Sequence, residues 1–363
     1  MKVSSPFAHH IPVDIVGNLQ WRRRVLNRVL EDPSYADIIW QACSIDPIFY
    51  INGFGYTYNP RLVERPRLPF ILYPFQVDGI LEIIKAIGSH DLLIEKSRDT
   101  GASWVCSSAF EWLWHFRREL SFLMVSRAEA LVDDRENPKA LFWKVDYLLN
   151  NLPPWLMPPG YNEKIHRRKL HILNPYTSSV IDGESTQGNV ARGDRRTAIL
   201  LDEFAAVKEG IEVLRSTRDA TNSRIFNSTP QGTGNAYYQH RKTGVRRLRF
   251  HWSVHPMKNV GLYETDIDGE LKVLDAGGYS EDYTPILDGK LRSPWYDNEC
   301  NRATSKREIA QELDIDYLGS GDQFFSPDVI ARAVKEHAMN PTHIGDLSYD
   351  LHDGTPIDFK MSD

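Results

Sequence analysis

The chain has 363 residues, of which 41% are hydrophobic and 25% are charged. This length predicts one large α/β domain or about two smaller domains, and the hydrophobic content is enough for a sizeable core. The formal net charge of −6 excludes a protein coated in basic surface. It still allows nucleic-acid binding by a local positive groove on an acidic body.

Cysteine usage and hydropathy exclude further classes. Three widely spaced cysteines without a CxxC pair argue against a disulfide framework or a zinc site, and they favour a reducing compartment. No apolar run approaches the roughly 18 residues that span a bilayer, and the N-terminus lacks the apolar centre of a signal peptide. We therefore expect a soluble intracellular protein without a membrane partner.

The N-terminal part predicts helices followed by a loop. Residues 14–45 show helical spacing of apolar side chains with a break at Pro33, as expected for two helices. Residues 46–70 are rich in aromatic residues, Pro and Gly, and this composition predicts a loop-rich arm packed on the body.

From residue 71 onward, predicted helices alternate with short apolar runs, which is typical of a parallel sheet covered on both faces. The apolar runs are residues 92–94, 122–125, 198–201 and 224–227. The predicted helices are residues 75–88, 103–118 and 302–313. The remaining segments predict a hairpin over 169–183, a half-exposed strand over 246–252 and a loop or small insertion over 262–290.

Parallel sheets bind ligands at the carboxyl ends of their strands, so the turns after the apolar runs are the first candidates for a site. Residues 95–103 form the first such turn. They depart from the standard phosphate loop, GxxxxGK followed by Ser or Thr, because Lys96 replaces the first Gly and Ala102 replaces the Lys. Gly101 and Ser103 keep their places.

The altered loop can still serve phosphate chemistry. Backbone N–H groups at a helix N-terminus bind phosphate whatever the side chains. Lys96 or Arg98 could supply the cation, and the Ser103 hydroxyl could ligate Mg²⁺. The alternative is an ordinary turn between strand and helix, with a Gly and a helix cap.

Two carboxylates, Asp202 and Glu203, follow the third apolar run. Asp202 would emerge at the carboxyl end of a buried strand, where it could hold Mg²⁺ through water. Glu203 could orient and deprotonate an attacking water. A solvated acidic turn is the alternative, but the phosphate-type loop upstream favours nucleotide hydrolysis.

Residues 227–235 follow the fourth apolar run and are rich in hydroxyls, amides and Gly. Ser228, Thr229 and Gln231 could sense the γ-phosphate and pass the signal to the next helix. A simple Gly/Pro turn is the alternative interpretation.

Taken in this order, these segments resemble the ATPase domain of tailed-phage large terminases. That family has a deviant loop with a Ser-Arg pair, a Gly and a final Ser or Thr, and some members carry the loop lysine at its start. The matching segments are Ser97-Arg98-Asp99-Thr100-Gly101-Ala102-Ser103, Leu201-Asp202-Glu203-Phe204-Ala205, Ser228-Thr229-Pro230-Gln231-Gly232 and Tyr73-Pro74-Phe75-Gln76.

The resemblance implies a P-loop NTPase of the RecA/ASCE type, with a mostly parallel sheet flanked by helices. It implies an N-terminal helical or lid arm over residues 1–60, an ATPase core over 61–320 and a linker over 321–363. ATP would be bound by residues 96–103, Gln76 would read the adenine edge, and a neighbouring subunit would supply an arginine. Arg192 is the first candidate for that arginine, and Arg98 is an alternative acting within its own subunit.

The function implied by the resemblance is ATP-driven packaging of double-stranded viral DNA into a procapsid in the host cytoplasm. The implied partners are a portal protein, a small terminase subunit and further copies of the chain in a ring. Family members continue into an RNase H-like nuclease, whereas this sequence stops at Asp363, so we expect a shortened form without nuclease activity.

Two other functions stay open at this stage. A helicase-like DNA translocase of another pathway would use the same motifs. A nucleotide-binding assembly module with little hydrolysis would account for Ala102 in place of the usual lysine. Two basic runs could contact DNA phosphates, although charge runs are more often solvated faces; they are Lys164, His166, Arg167, Arg168, Lys169 and His171, and Arg241, Lys242, Arg246, Arg247 and Arg249.

Overall fold

A computed structural model of the chain describes residues 5–186, 190–266, 270–321, 327–339, 345–349 and 356–361. The chain divides into two compact units, Met1–Gly321 and Asp322–Asp363. All the strand-end segments identified above belong to the first unit.

A mixed sheet forms the centre of the first unit. Among the described residues it has eight strands, in the order β8-β1-β7-β6-β2-β5-β4-β3. The strands from β8 to β5 run parallel, and β4 and β3 are added antiparallel. The strands are β1 (Leu92–Lys96), β2 (Ser121–Ser126), β3 (Arg167–Arg168), β4 (His171–Leu173), β5 (Val180–Ser185), β6 (Ala198–Asp202), β7 (Arg224–Ser228) and β8 (Arg246–Phe250).

The mostly parallel sheet flanked by helices confirms the predicted fold class. β7 lies between β1, which precedes the phosphate-type loop, and β6, which precedes the acidic pair. The central strands are buried along almost their whole length, because a parallel sheet is covered on both faces.

Helices cover both faces of the sheet. Successive side chains of a strand point to opposite faces, so each central strand contributes to a hydrophobic cluster on either side. In β1, Leu92 and Ile94 join one hydrophobic cluster, and Leu93 joins another. Among the described residues of the first unit, the α-helices of six residues or more are α1 (Ile15–Glu31), α2 (Tyr35–Ile45), α3 (Pro47–Phe54), α4 (Pro74–Ala86), α5 (Ala102–Phe116), α6 (Leu141–Asn150), α7 (Gly210–Arg218), α8 (Ala236–Arg241) and α9 (Pro294–Arg302).

The predicted loop-rich arm is wrong over its first part, because residues 47–54 form α3. Asp46 caps this helix by accepting hydrogen bonds from Ile48 N and Phe49 N, both 2.9 Å long, and Pro47 occupies the first turn, where a missing N–H costs nothing. All residues of α3 are buried, so the helix lacks the one-sided periodicity that reveals surface helices.

The predicted helix over residues 302–313 is also wrong in its bounds. α9 already ends at Arg302. A new helix begins at Lys306, where the Ser305 side chain accepts from Glu308 N, and it continues into a π-helical turn over Ala310–Asp314. The helix cap at Ser305 therefore separates two helices that the apolar spacing alone predicts to be one.

In the predicted insertion, the described residues include a small antiparallel sheet whose strands are Tyr263–Thr265, Leu271–Val273 and Leu291–Arg292. The second unit contains a helix, α10 (Pro327–His337), and an antiparallel hairpin of Gly345–Tyr349 with Pro356–Met361. Across the described residues, no helix has the length and apolar character needed to cross a membrane.

Candidate active site

The turns that follow β1, β6 and β7 meet at one cavity of about 450 Å³. Their side chains converge because the carboxyl ends of neighbouring parallel strands lie along one edge of the sheet. The predicted residues that line the cavity are Lys96, Arg98, Ser103, Asp202, Glu203, Ser228, Thr229 and Gln231.

The loop after β1 requires glycine at its end. Gly101 has φ +77°, and a Cβ at this position would lie 2.7 Å from Gln76 Nε2. Gln76 Nε2 donates to the Thr100 carbonyl at 3.0 Å, and Arg98 N donates to the Glu312 carbonyl at 2.7 Å. The loop is thus fixed by its neighbours just before α5 begins at Ala102, as a phosphate-binding loop requires.

Two predicted loop residues face away from the cavity. Asp99 lies at φ +56° and forms an ion pair with Arg61 at 2.7 Å. Ser97 is buried, donates from Oγ to the Leu313 carbonyl at 2.6 Å and accepts from Trp252 N. Both side chains shape the loop, while its backbone remains the part suited to phosphate.

Ser103, Asp202 and Asn227 form a cluster of oxygen-bearing side chains. Ser103 Oγ lies 3.2 and 3.3 Å from the two carboxylate oxygens of Asp202, and Asn227 Nδ2 donates to Asp202 Oδ1 at 2.5 Å. Burial and the Glu203 charge raise the pKa of Asp202, against the opposing effect of Lys96. An added cation would relieve this cost.

The donor set fits Mg²⁺. Hydroxyl and carboxylate oxygens are its preferred ligands, and Mg²⁺ in nucleotide sites commonly uses one or two carboxylates, water and phosphate. Asn227 Oδ1 is buried without a hydrogen-bond partner among the described residues, and it could accept from a metal-bound water. In the described part of the chain, no group of three or more His, Cys, Asp or Glu side chains is arranged to hold a metal ion. Phosphates and water would therefore have to complete the coordination shell of Mg²⁺.

Lys96 and Glu203 are paired across β7. Lys96 Nζ lies 3.0 Å from Glu203 Oε1, with side-chain exposures of 12% and 37%. Burial lowers the pKa of Lys96, but Glu203 and Asp202 raise it and prevail. The pair therefore places an ammonium group and a carboxylate side by side in the cavity.

The Glu203 backbone lies in the left-handed region, with φ 54° and ψ 38°, which costs a residue other than Gly free energy. This conformation turns the chain immediately after β6, so that Asp202 and Glu203 both line the cavity. Strain of this kind persists where the surrounding structure enforces it, and it often accompanies function.

The turn after β7 is bonded to two neighbouring segments. Ser228 Oγ accepts from Ala205 N at 3.1 Å, which joins this turn to the one after β6. Gly232 N donates to Ser320 Oγ at 3.0 Å, near the end of the first unit. A shift of this turn would therefore be felt at both places.

Of the residues predicted outside the phosphate-type loop, Gln76 and Arg192 do not line the cavity. Gln76 is buried, and its Oε1 accepts from Tyr73 N at 3.0 Å while its Nε2 supports Thr100. Arg192 is exposed on a turn, and residues 187–189 of its loop lie outside the described residues. Adenine recognition by Gln76 and the action of Arg192 on a neighbour stay predictions.

The structure adds cations that the sequence analysis missed. Arg127, Lys139 and Lys144 also line the cavity. Lys144 Nζ donates to the Lys139 carbonyl at 2.7 Å and to the Pro138 and Ala140 carbonyls, and burial lowers the pKa of Lys144 to about 8. Arg127 follows β2 directly, so the strand-end rule could have found it; Lys144 gives no signal in the sequence.

Both basic runs are partly neutralised within the chain. In the first, Arg167 is buried against Asp133 and Asp146, and the other pairs are Lys169 with Glu129 and His171 with Asp182. In the second, Arg241 pairs with Glu95 and Arg246 with Glu82. DNA contact by the remaining exposed cations stays a prediction.

No protein-family model and no curated protein matches this chain. Among solved structures it is similar to the HK97 bacteriophage large terminase, with a TM-score of 0.48 and 14% identity over 84% of this chain and 61% of that one. The Thermus phage P74-26 large terminase ATPase domain gives a TM-score of 0.42 and 18% identity over 65% of this chain and 93% of that one.

A large terminase from a thermophilic bacteriophage, in complex with ATP-γ-S, gives a TM-score of 0.39 and 18% identity over 51% of this chain and 46% of that one. These proteins are large terminases, the family that the sequence motifs resemble. The chain spans less than two thirds of the length of the HK97 terminase.

Proposed function

We propose that this chain binds ATP with Mg²⁺ and hydrolyses it as the motor of viral DNA packaging, moving double-stranded DNA into a procapsid. One observation carries the proposal: Lys96, Ser103, Asp202 and Glu203 line a single cavity beside a loop that opens a helix. Each group has a distinct task in phosphoryl transfer.

Nucleotide binding would use the backbone as well as side chains. N–H groups of the 97–103 loop at the start of α5 would hold the phosphates, apart from those of Ser97 and Arg98, which donate to the Phe250 and Glu312 carbonyls. Lys96 would be the cation. Ser103 and Asp202 would hold Mg²⁺, oriented by Asn227 through its hydrogen bond to Asp202. Bound Mg²⁺ neutralises charge that develops on the phosphates.

Hydrolysis would depend on Glu203. Its carboxylate would accept a proton from the attacking water as general base. In the structure this carboxylate is paired with Lys96, and phosphates would compete for the same ammonium group. Binding of ATP would thereby free Glu203 for its task.

Coupling to DNA movement would begin at Thr229 and Gln231, which line the cavity, and pass through the Ser228 and Gly232 bonds to neighbouring segments. In a ring of copies on a portal protein, Arg192 of one subunit would act on the site of the next. A small terminase subunit would complete the assembly, and contacts to DNA phosphates without base readout would let the motor slide.

A second candidate function is a nucleotide-binding assembly module with little hydrolysis. The ion pair between Lys96 and Glu203 favours this candidate, since it keeps Lys96 from phosphate and Glu203 from the attacking water. ATP binding without turnover, even on assembled portal with DNA, would support this candidate. Separation of DNA strands would instead indicate a helicase-like translocase.

The test is Mg²⁺-dependent ATP hydrolysis by the chain, with and without duplex DNA. Lys96→Ala should lose both binding and hydrolysis, whereas Glu203→Gln should retain ATP binding and lose hydrolysis. Lys85→Ala, an exposed lysine of α4, is the matched control and should behave like wild type. Normal turnover by Glu203→Gln would remove the general-base assignment, and normal turnover by Lys96→Ala would move the phosphate role to Arg98.

A further inference from the structure

The hydrogen bonds of the loop after β1 are divided unequally between its carbonyl and N–H groups. The Ser97 carbonyl accepts from Thr100 Oγ1 at 3.1 Å, and the Thr100 carbonyl accepts from Gln76 Nε2 at 3.0 Å. The N–H groups of residues 99–103 form no hydrogen bond to any described residue. The loop therefore presents successive unoccupied backbone donors, as in the concave backbone nests that bind anions.

The Arg98 carbonyl is also bound, and its partner is a lysine distant in sequence. Lys258 Nζ donates to this carbonyl at 2.8 Å. The peptide bond between Arg98 and Asp99 is trans, and in a planar trans peptide the C=O and N–H groups point in opposite directions. The bond from Lys258 thus directs the Asp99 N–H away from the lysine. A cationic donor on the carbonyl also polarises the peptide group, which makes its N–H a stronger donor.

The fold holds Lys258 in place for this contact. The residue is 7% exposed, and its ammonium group lies 4.5 Å from the centre of the Trp295 ring, within the range of a cation–π interaction. Its carbonyl accepts from Ser293 Oγ at 2.7 Å, and its N–H donates to the His255 carbonyl at 2.9 Å. Lysine is almost never buried this far unless its charge has a partner, so the bond to the loop accounts for its position.

We propose that Lys258 positions the phosphate-binding loop and adds to the positive potential that the loop offers to the phosphates of a nucleotide. It acts through the peptide group between Arg98 and Asp99, so it is a positioning residue and not a catalytic one. This inference rests on the proposed function, because it concerns the same nucleotide site. Lys258 lies outside the turns that directly follow the central strands, and strand-end positions therefore do not reveal it.

The charge of Lys258 depends on its surroundings. Burial lowers the pKa of Lys258 to about 8, and the Arg61 charge acts in the same direction. The carboxylates of Asp99 and Glu299 oppose this effect. The pKa of the nearby His255 is lowered to about 4, so His255 is neutral at pH 7. Bound phosphates would favour the charged form of Lys258, so affinity for them should fall as the pH rises through 8.

The first test measures the affinity of the chain for ATP and for inorganic triphosphate by calorimetry at pH 7. Lys258→Met keeps a long unbranched side chain and removes its charge and hydrogen bond. It should bind both ligands about tenfold more weakly, and to an equal extent, because the loop would contact phosphates and not the base. Lys272→Met, which removes an exposed lysine paired with Glu264, is the control and should bind like wild type.

The second test repeats the triphosphate titration from pH 7 to about 9.5. The difference in affinity between wild type and Lys258→Met should narrow as the pH rises through 8, because wild type then loses the charge that the variant lacks. Lys258→Arg, whose guanidinium stays charged in this range, should bind more tightly than wild type at the upper end. A purely structural role of the side chain would leave the difference the same at every pH.

Circular dichroism and thermal melting establish that each variant is folded. If Lys258→Met does not fold, wild type and Lys258→Arg are compared across the same pH range, and equal losses of affinity would overturn the proposal. Wild-type affinity in folded Lys258→Met would also overturn it, as would a difference that stays constant with pH. Wild type that binds neither ligand would contradict the proposed function itself, whereas ATP hydrolysis by wild type beside an unaffected Lys258→Met would contradict this inference alone.

Discussion

The Asn227 side chain shows how one residue organises a site without being a predicted ligand. It donates to Asp202 Oδ1 at 2.5 Å and lies 3.4 Å from Ser103 Oγ. It is buried in β7, the strand that lies between β1 and β6. A partner of this kind fixes the orientation of the carboxylate that would hold the cation.

We therefore expect Asn227→Ala to raise the Mg²⁺ concentration for half-maximal ATPase activity about tenfold or more, with a smaller effect on nucleotide binding without metal. Titration of Mg²⁺ at saturating ATP measures this shift. Asn222→Ala, exposed just before the same strand, should leave the titration unchanged. An unaltered Mg²⁺ titration in Asn227→Ala would exclude the orienting role.

Among single residues, the sequence predicted the site side chains that directly follow a strand. Ser103, Asp202 and Glu203 were found because residue type and position after an apolar run both pointed to them. Asn227 and Lys144 were missed because their importance depends on strand order and on the path of the chain around the cavity. Neither property has a local signature in the sequence.

The backbone geometry of helices, strands and loops positions the site residues, and the loop before α5 is the clearest case. Gly101 has positive φ and no room for a Cβ beside Gln76, whereas Gly244 has φ +78° with nothing within 4 Å. Gly101→Ala and Gly244→Ala should each lose about 1–2 kcal/mol of stability from backbone strain. Only Gly101→Ala should also weaken ATP binding, because the phosphate-binding loop must move.

Calorimetric ATP binding and thermal melting of both variants check this expectation. Equal losses of ATP affinity in the two variants would show that general destabilisation, not loop geometry, accounts for the effect. Full ATP affinity in Gly101→Ala would show that the loop tolerates the displacement of Gln76.

The opposite end of the sheet is held by an ion pair between Asp91, which precedes β1, and Arg224 in β7. Burial alone would raise the pKa of Asp91, but the His240 ring at 3.5 Å, the hydrogen bonds from Arg224 and the Arg224 charge lower it from 3.8 to about 2. A lowered pKa means that this stabilisation is present above pH 3.8 and is lost as the pH falls toward 2.

Asp91→Asn should therefore lower the free energy of unfolding by about 2–3 kcal/mol at pH 7, with the difference from wild type shrinking between pH 4 and pH 2. Denaturant unfolding across this range measures it. Asp219→Asn, in an exposed pair, should change stability little at any pH. A difference that persists unchanged at pH 2 would contradict the assignment.

Elements with one-sided or short apolar patterns were predicted well, and those without such patterns were not. The four central strands appeared as apolar runs because they are buried on both faces. α3 was missed because it is buried on all sides and begins at a proline, features that resemble a packed loop. The division at Ser305 was missed because apolar spacing continues across it.

The central sheet as a whole assembles the site, since it places β7 between β1 and β6 although β7 follows both in the chain. The alternation of strands and helices predicts a parallel sheet, but its strand order came from the structure. The pairing of Lys96 with Glu203 could be read only from the structure. The role of Arg192 belongs to this scale as well, because it would act between copies.

Arg192→Ala should hydrolyse ATP like wild type as an isolated chain and should lose the stimulation produced by assembly. Mixed with Glu203→Gln, which keeps Arg192, it should recover part of that stimulation, because the second chain donates its arginine to the first. ATPase assays across mixing ratios measure the recovery. Arg195→Ala is the neighbouring control, and an equal loss in that variant would assign the effect to the loop as a whole.

The left-handed backbone of Glu203 has a consequence for how this protein can change over time. A glutamate in this conformation costs about 1–2 kcal/mol that a glycine would not. Glu203→Gly should therefore relieve this backbone strain, while it loses the ion pair with Lys96 and the carboxylate that the proposed hydrolysis needs. At this position the substitution that relieves strain is an inactivating one, so a trade-off between backbone strain and activity is built into a single pair of dihedral angles.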